Sequence, residues 1–394
     1  MSITKDLHAR LIDQIRADGW IITPCIEDAM RAVPRHLFLP DAPAQEAYAD
    51  KNVATKTDPA GAVLSSASTP SIVAMMLEQA GIEPGHRVLE IGAGTGYNAA
   101  LLRHLTGDSG QVATVDIDPD AVEDTRKNLS AAGYNDIQVT CGDGECGIIQ
   151  YAPYDRIIVT AGAWDLPPAW REQLINGGRM VVPVRFRGTT RSIAFQREGD
   201  RLVSGSVKLC GFIPMRNDDG EHILNIAEGV ALRFDEDQDI TPTALDDVLS
   251  QPKTEAWSDV TVGVEPIHGI WGRLVVAEAG TCRISADADA VQSGRAVPVI
   301  PPLSPAVVEG ASLAYLTHRP LAGNGQKRSE LGAIGHGPAG EELCRRMIEH
   351  VHQWDTDRTD RLVVTAFPAD TPDNQLSEGR VIDKRQARLS VSWA

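Results

Sequence analysis

Cysteine is scarce and scattered. The six residues Cys25, Cys141, Cys146, Cys210, Cys282 and Cys344 form no C-x-x-C pair in a chain of 394. That argues against metal or disulfide use and leaves reduced, partly buried thiols as the expectation. Clustered histidine is lacking too. His350 and His352 stand two apart, so a helix would not put them on one face, and no metal site is expected. No apolar run is long enough to span a bilayer. The opening "MSITKDLHARLIDQIR" is an amphipathic helical pattern with acids and bases mixed. It has no apolar h-region, so no secretory signal is read there and a cytoplasmic protein is expected. Positive charge is in deficit: Lys and Arg number 37 against 54 Asp and Glu, a formal net charge of -17. That sign excludes nucleic acid as a general partner, and solubility is a sufficient reading of it. No internal repeat or low-complexity tract occurs.

What is present is an ordinary globular composition, 42% hydrophobic and 23% charged. At roughly 150 residues per domain the length suggests two or three domains. Helical patterns cover Lys5 to Ala17 and Ile26 to Val33. "STPSIVAMMLEQAG" reads as a helix with Thr69 as cap, Pro70 in the first turn and Gly81 as stop. Strands and helices then alternate: "HRVLEIGA", "YNAALLRHL", "QVATVDID", "PDAVEDTRKNLSAAG", "IQVTCGD", "DRIIVTAG", the helix "PAWREQLINGG" and the strand "RMVVPVR". The alternation predicts a doubly wound, mostly parallel α/β sheet. "TRSIAFQREGDRLVSGSVKLCGFIPM" reads as two strands around a turn at Glu198 to Asp200, an antiparallel edge. From about Leu232 the chain becomes acidic and turn-rich. A Pro-rich loop, the helix "AGEELCRRMIEHVHQW" and a last strand "ARLSVSW" follow, as expected of a C-terminal α+β domain.

The glycine turn "VLEIGAGTGYNAALL" sits between the first strand and its helix. Its glycines are Gly92, Gly94 and Gly96, spaced G-x-G-x-G. The dinucleotide fingerprint is G-x-G-x-x-G, and its third glycine position is Tyr97 here. Glu90 precedes the turn, which suits a cofactor carrying an ammonium there rather than a pyrophosphate. S-adenosyl-L-methionine meets that requirement: its ammonium wants a carboxylate and its carboxylate wants backbone N–H groups. Thr95 lies within the turn. Asp116, followed by Ile117, ends the second strand, where an acid commonly bonds ribose hydroxyls. Asp143 and Gly144 end the third strand, suited to an adenine edge. The plain alternative is that Asp116 and Asp143 cap the turns after them.

"AMRAVPRHLFLP", "AYAD", "ASTPSIVAMMLE", "VLEIGAGTGYNAALL", "GDG", "YDRIIVTAGA" and "QLINGGRMVVPV" occur in one order from Leu11 to about Arg216. In these segments the chain resembles the protein-L-isoaspartate O-methyltransferase family. The resemblance implies a Rossmann-like class I methyltransferase fold, S-adenosyl-L-methionine as methyl donor and a peptide carboxylate as acceptor. It divides the chain into an N-terminal helical and active-site-loop region (1–80), a cofactor-binding core (81–230) and a C-terminal extension that recognises a peptide (231–394). The family's T-I-S-x-P segment flanks the methyl-transfer site, and its Ser lies beside the substrate carboxylate. Here the segment is "SSASTP". Ser68 takes the place of that Ser and Ser66 replaces Thr, so Ser68 and Ser66 are the implied catalytic residues. Ser65 and Arg216 are candidates for holding substrate.

The changed loop and the long tail resemble extended relatives that methylate an aspartate in ribosomally made, modified peptides (lanthipeptides, lasso peptides, graspetides), leading to aspartimide and then isoaspartate. The alternatives are isoaspartate repair and, from another class, a non-catalytic cofactor-binding scaffold. Two further readings stay open. Arg35 and His36 of "VPRHLFLP" either face substrate or belong to a structural turn. Trp257, Trp271, Trp354 and Trp393 either anchor a peptide or pack in a core. The tail's alternative role is dimerisation.

Overall fold

The computed structural model describes residues 3–216, 220–321 and 328–394. The chain divides into two compact units, one of Met1–Val184 with Thr190–Arg216, the other of Arg185–Thr189 with Asn217–Ala394. The expected division between residues 230 and 231 falls inside a hairpin of the second unit.

The first unit opens with α1 (Ile3–Ala17) and α2 (Pro24–Ala32). Leu11, Ile12 and Ile15 form the buried stripe of α1. Glu78 ties the start of α2, accepting from the Ile22 and Thr23 amides at 2.8 Å each. A short helical turn Arg35–Phe38, α3 (Ala44–Ala47) and a hairpin of β1 (Val53–Thr57) and β2 (Val63–Ala67) lead into α4 (Pro70–Ala80). Gly81 stops α4 in the left-handed region at φ 56°. Thr69 makes no side-chain cap. The expected role falls instead to Asp50, whose Oδ1 accepts from the Ser71 amide at 2.9 Å.

The alternating segment gives β3 (Arg87–Ile91), α5 (Tyr97–Thr106), β4 (Gln111–Asp116), α6 (Pro119–Ala131), β5 (Gln138–Cys141), β6 (Tyr154–Val159), α7 (Pro168–Gln173) and β7 (Leu174–Phe186). Then β8 (Thr189–Glu198) and β9 (Arg201–Leu209) pair antiparallel. The strand order is β9-β8-β7-β6-β3-β4-β5. β3 pairs in parallel with both β4 and β6, so the order reverses beside it. Ligands bind open α/β sheets at such a switch point, outside the carboxyl ends of the strands. Four of the five β3 residues are buried, as a strand covered on both faces requires. The helix expected over "PAWREQLINGG" ends at Gln173. Leu174 already pairs with Tyr154, and the Asn176–Gly177–Gly178 stretch is a poor helix former.

The second unit holds β10 (Glu221–Ala227), β11 (Val230–Asp235), β12 (Lys253–Val262), α8 (His268–Ala277), β13 (Thr281–Ala286), α9 (Ala288–Gln292), β14 (Ser304–Glu309), β15 (Ser312–Pro320) and β16 (Ser329–His336). It continues through α10 (Gly340–Asp355), β17 (Leu362–Pro368), β18 (Arg380–Asp383) and β19 (Ala387–Trp393). Seven strands form an antiparallel sheet in the order β10-β11-β13-β14-β15-β16-β12. α10 lies against β12, β15 and β16, burying Leu343, Met347, Val351 and Trp354. A buried charge network is set within this unit. Asp235 is wholly buried, and its Oδ2 accepts from the Arg187 amide at 2.8 Å and Nη1 at 3.0 Å. Lys384 Nζ lies 3.6 Å from the same oxygen, and Asp237 holds the Arg187 guanidinium through both its oxygens.

Candidate active site

The turn after β3, the ends of β4 and β5 and the loop after β6 meet around one cavity of about 620 Å³. That volume is in the range of small-molecule sites. Gly92 turns the chain at φ 99°. A Cβ there would come within 2.4 Å of Thr160 Oγ1, which itself donates to the Gly92 carbonyl at 2.6 Å. Only glycine satisfies both the conformation and the close approach. Gly94, at φ 54°, donates its amide to Asp116 Oδ2 at 3.1 Å. Gly96 stands apart from the other residues expected to hold cofactor. It does not line the cavity; its missing side chain lets Leu129 and Thr125 of α6 approach.

Glu90 lines the cavity from a fully buried position. Its oxygens accept from Asn98 Nδ2 at 2.8 Å and Thr114 Oγ1 at 2.6 Å. Among the described residues no Lys, Arg or His forms an ion pair with it. Burial without a cation pushes its pKa up to about 7, against two hydrogen bonds that favour the charged form. A carboxylate held this way is suited to an ammonium brought by a ligand. Asp116 completes the turn with Oδ1 accepting from the Asp118 amide, and Asp143 Oδ1 accepts from the Glu145 amide. Both make the turn bonds that a capping role requires, and both also line the cavity. Ile117 is 39% exposed beside them, an apolar surface for a flat ring. Thr95 and Gly144 line the cavity too. This donor set fits S-adenosyl-L-methionine: a carboxylate for the ammonium, backbone N–H groups of the glycine turn, acids at two strand ends and an apolar wall.

The opposite wall comes from the end of β2 and the start of α4. Ser65, Ser66, Ser68 and Thr69 line it. Ser65 Oγ accepts from Thr55 Oγ1 across the hairpin at 3.0 Å. Lys56 of β1 donates to Asp118 at 2.7 Å, and Arg216 donates to the same Asp118 oxygen at 2.8 Å. These two cations, with the Asp120 amide, hold Asp118 well below the usual carboxylate range, at about 2. Arg216, expected to hold a substrate carboxylate, is thus engaged by Asp118 at the cavity rim. The Gly211–Arg216 segment beside it is stitched to Gly162 by backbone bonds to Ile213 and Met215.

Residues 6–220 match the family model described as "Protein-L-isoaspartate(D-aspartate) O-methyltransferase (PCMT)". The chain belongs to this family. It is 45% identical over 188 residues to the protein-L-isoaspartate O-methyltransferase of Methanococcoides burtonii, covering 48% of this chain and 90% of that protein. It is 37% identical over 224 residues to the one of Methanopyrus kandleri, covering 55% of this chain and 95% of that protein. A solved protein-L-isoaspartate O-methyltransferase aligns over 98% of this chain and 99% of its own, with a TM-score of 0.53 and 21% identity. That is a likeness of fold, and it is not confined to the first unit. The chain is an S-adenosyl-L-methionine-dependent carboxyl O-methyltransferase with an additional sheet-rich C-terminal region.

Sequence reasoning missed the partners of Glu90. Asn98 sits one helical residue past the glycine turn, and that placement was the available signal. Thr114 looked like any β-branched strand residue. His36 serves a local structure, its Nδ1 2.6 Å from the Tyr48 hydroxyl. Of the four tail tryptophans, Trp354 and Trp271 are buried. The Trp257 and Trp393 rings are half-buried, with the Arg319 and Arg273 guanidinium groups 4.3 Å from their centroids. No helix among the described residues is long and apolar enough to cross a membrane.

Proposed function

We propose that this methyltransferase esterifies the side-chain carboxylate of an aspartate in a ribosomally made, modified peptide. The observation that carries the reading is the acceptor wall, where the family's Thr is Ser66 and where Ser65, Ser66 and Ser68 line one cavity with Glu90 and Asp116. An aspartate is ionised at neutral pH and needs no general base. S-adenosyl-L-methionine, when bound, supplies an electrophilic methyl group on a sulfonium. Glu90 and the glycine turn fix the donor end. Ser68 orients the acceptor oxygen by a hydrogen bond, and a bound peptide displaces water from the cavity. The carboxylate oxygen bonds to the methyl carbon as the carbon–sulfur bond breaks. The amide nitrogen of the next peptide residue then attacks the ester carbonyl. It loses its proton and methanol leaves, closing a succinimide that hydrolyses to aspartate or isoaspartate. Peptide recognition is assigned to residues 231–394. It uses side chains other than Trp271 and Trp354, which are buried.

A second reading is isoaspartate repair, favoured by the likeness to the protein-L-isoaspartate O-methyltransferases of Methanococcoides burtonii and Methanopyrus kandleri. The deciding experiment offers the purified protein an isoaspartyl peptide and a cyclised peptide from an adjacent gene. Mass spectrometry should show a methyl gain and then methanol loss on the cyclic peptide. Methylation of the isoaspartyl peptide alone would overturn the first reading in favour of the second. The Ser68→Ala variant should slow methyl transfer about tenfold or more while cofactor affinity stays near wild type; full activity refutes the role of Ser68.

A further inference from the structure

Arg35 is a strongly buried cation on the cavity wall that forms no ion pair among the described residues. It is 1% exposed and lines the cavity with Ser68 and Tyr97. Its Nε donates to the Ala47 carbonyl at 3.0 Å, and Nη2 reaches the Ala67 carbonyl at 3.4 Å. The guanidinium carbon lies 5.3 Å from the Tyr97 ring centroid. Nη1 is buried and has no hydrogen-bond partner among the described residues. Asp50 acts on it through its charge without a hydrogen bond to it, and Asp50 Oδ1 accepts from the Ser71 amide. Two carbonyls and a ring orient a guanidinium without cancelling its charge. A buried ion in that state is costly unless something neutralises it.

The neighbours say what does. Ala67 is the residue before Ser68, so the group that grips Ala67 also sets the Ser68 loop. Arginine recognises carboxylates through its planar fork, and one arm of that fork is unused here. We propose that Arg35 receives the acceptor carboxylate beside Ser68 and makes the anion, not its neutral amide, the species that enters the cavity. The inference rests on the carboxyl-methylation reading and names the group that selects the acceptor. Because two of the guanidinium nitrogens are already committed to backbone carbonyls, Arg35 offers the incoming oxygen a single arm. That orients the carboxylate and leaves its other oxygen free to take the methyl group.

The test uses the full chain and a peptide that the wild-type protein methylates, with its isosteric amide as competitor. Wild type should bind the carboxylate peptide at least about tenfold more tightly than the amide, since a charge-assisted bond is lost in the amide. Arg35→Gln should lose roughly 30-fold or more in kcat/KM, chiefly through KM. Its S-adenosyl-homocysteine affinity should stay near wild type, and its preference for carboxylate over amide should collapse toward one. Arg35→Lys should recover part of that preference. A folded Arg35→Gln protein that keeps the wild-type preference overturns the proposal. So does equal binding of the two peptides by wild type, a result that stands even if every variant fails to fold. If wild type methylates no carboxylate peptide at all, it is the underlying methylation reading that has failed.

Discussion

Glu90 and Asp235 are both completely buried carboxylates, one in each unit, and they are kept in opposite ways. Asp235 is surrounded by the protein's own cations, Arg187 and Lys384. Burial pushes its pKa up and those cations pull it back. Among the described residues Glu90 has two hydrogen-bond donors, both neutral, from Asn98 and Thr114. The difference separates structure from function. A compensated buried charge specifies a fold, whereas an uncompensated one beside a cavity marks where a ligand's charge belongs.

The comparison can be broken in three places. Asp235→Asn carries the largest effect. It leaves Arg187 and Lys384 buried without their shared counter-ion and should cost about 3–5 kcal/mol in urea denaturation, with cofactor affinity little changed. A loss under about 1 kcal/mol, the scale of a surface pair, would show that Asp235 is not what holds that network together.

Glu90→Gln should do the reverse. Stability of the cofactor-free protein at pH 8 should hold or rise, while S-adenosyl-L-methionine binds about 10- to 100-fold more weakly. The pH dependence follows from the sign of the shift. An acid raised from 4.5 to about 7 is protonated in the folded state where the unfolded chain has ionised, so cofactor-free stability falls as pH rises through that window. Cofactor affinity moves the other way, rising about tenfold from pH 6 to pH 8 as the carboxylate forms. The Gln variant should show a flat profile. A wild-type profile just as flat would sever Glu90 from the ammonium.

The smallest effect belongs to Asp118, whose partners Lys56 and Arg216 are 37% and 45% exposed. Its depressed pKa means that the clasp is fully present above 3.8 and is lost as pH falls through about 2. Asp118→Asn should speed protease cleavage at the hairpin tip 58–62 several-fold at neutral pH and low salt, and high salt should narrow the difference. Unchanged cleavage would mean that the backbone pairing of β1 and β2 alone holds the hairpin.

Much of the first unit was legible because its contacts are local. β3, β4 and β6 are each followed by a helix, and each acid at a strand end announces itself by position, as Asp116 and Asp143 do. What was illegible depended on distant partners. Thr69 carries every local mark of a cap, yet Asp50 does the capping from 21 residues upstream. Arg35 read equally well as part of a turn, because nothing in "VPRHLFLP" shows that one arm of the guanidinium is left unpaired. In the second unit β12 pairs with β16, its partner residues lying up to 83 positions apart, as Lys253 and His336 do. Pairing of that kind leaves no periodic trace in the sequence.

The state of Glu90 has a consequence for heat as well as for affinity. If the cofactor's ammonium settles against a carboxylate that was protonated, loading the enzyme expels a proton into the medium. Near pH 6 the release should approach one proton per site, and at pH 8 it should be slight. The calorimetric enthalpy of binding would then depend on the buffer, shifting with the buffer's own heat of ionisation at pH 6 and converging across buffers at pH 8.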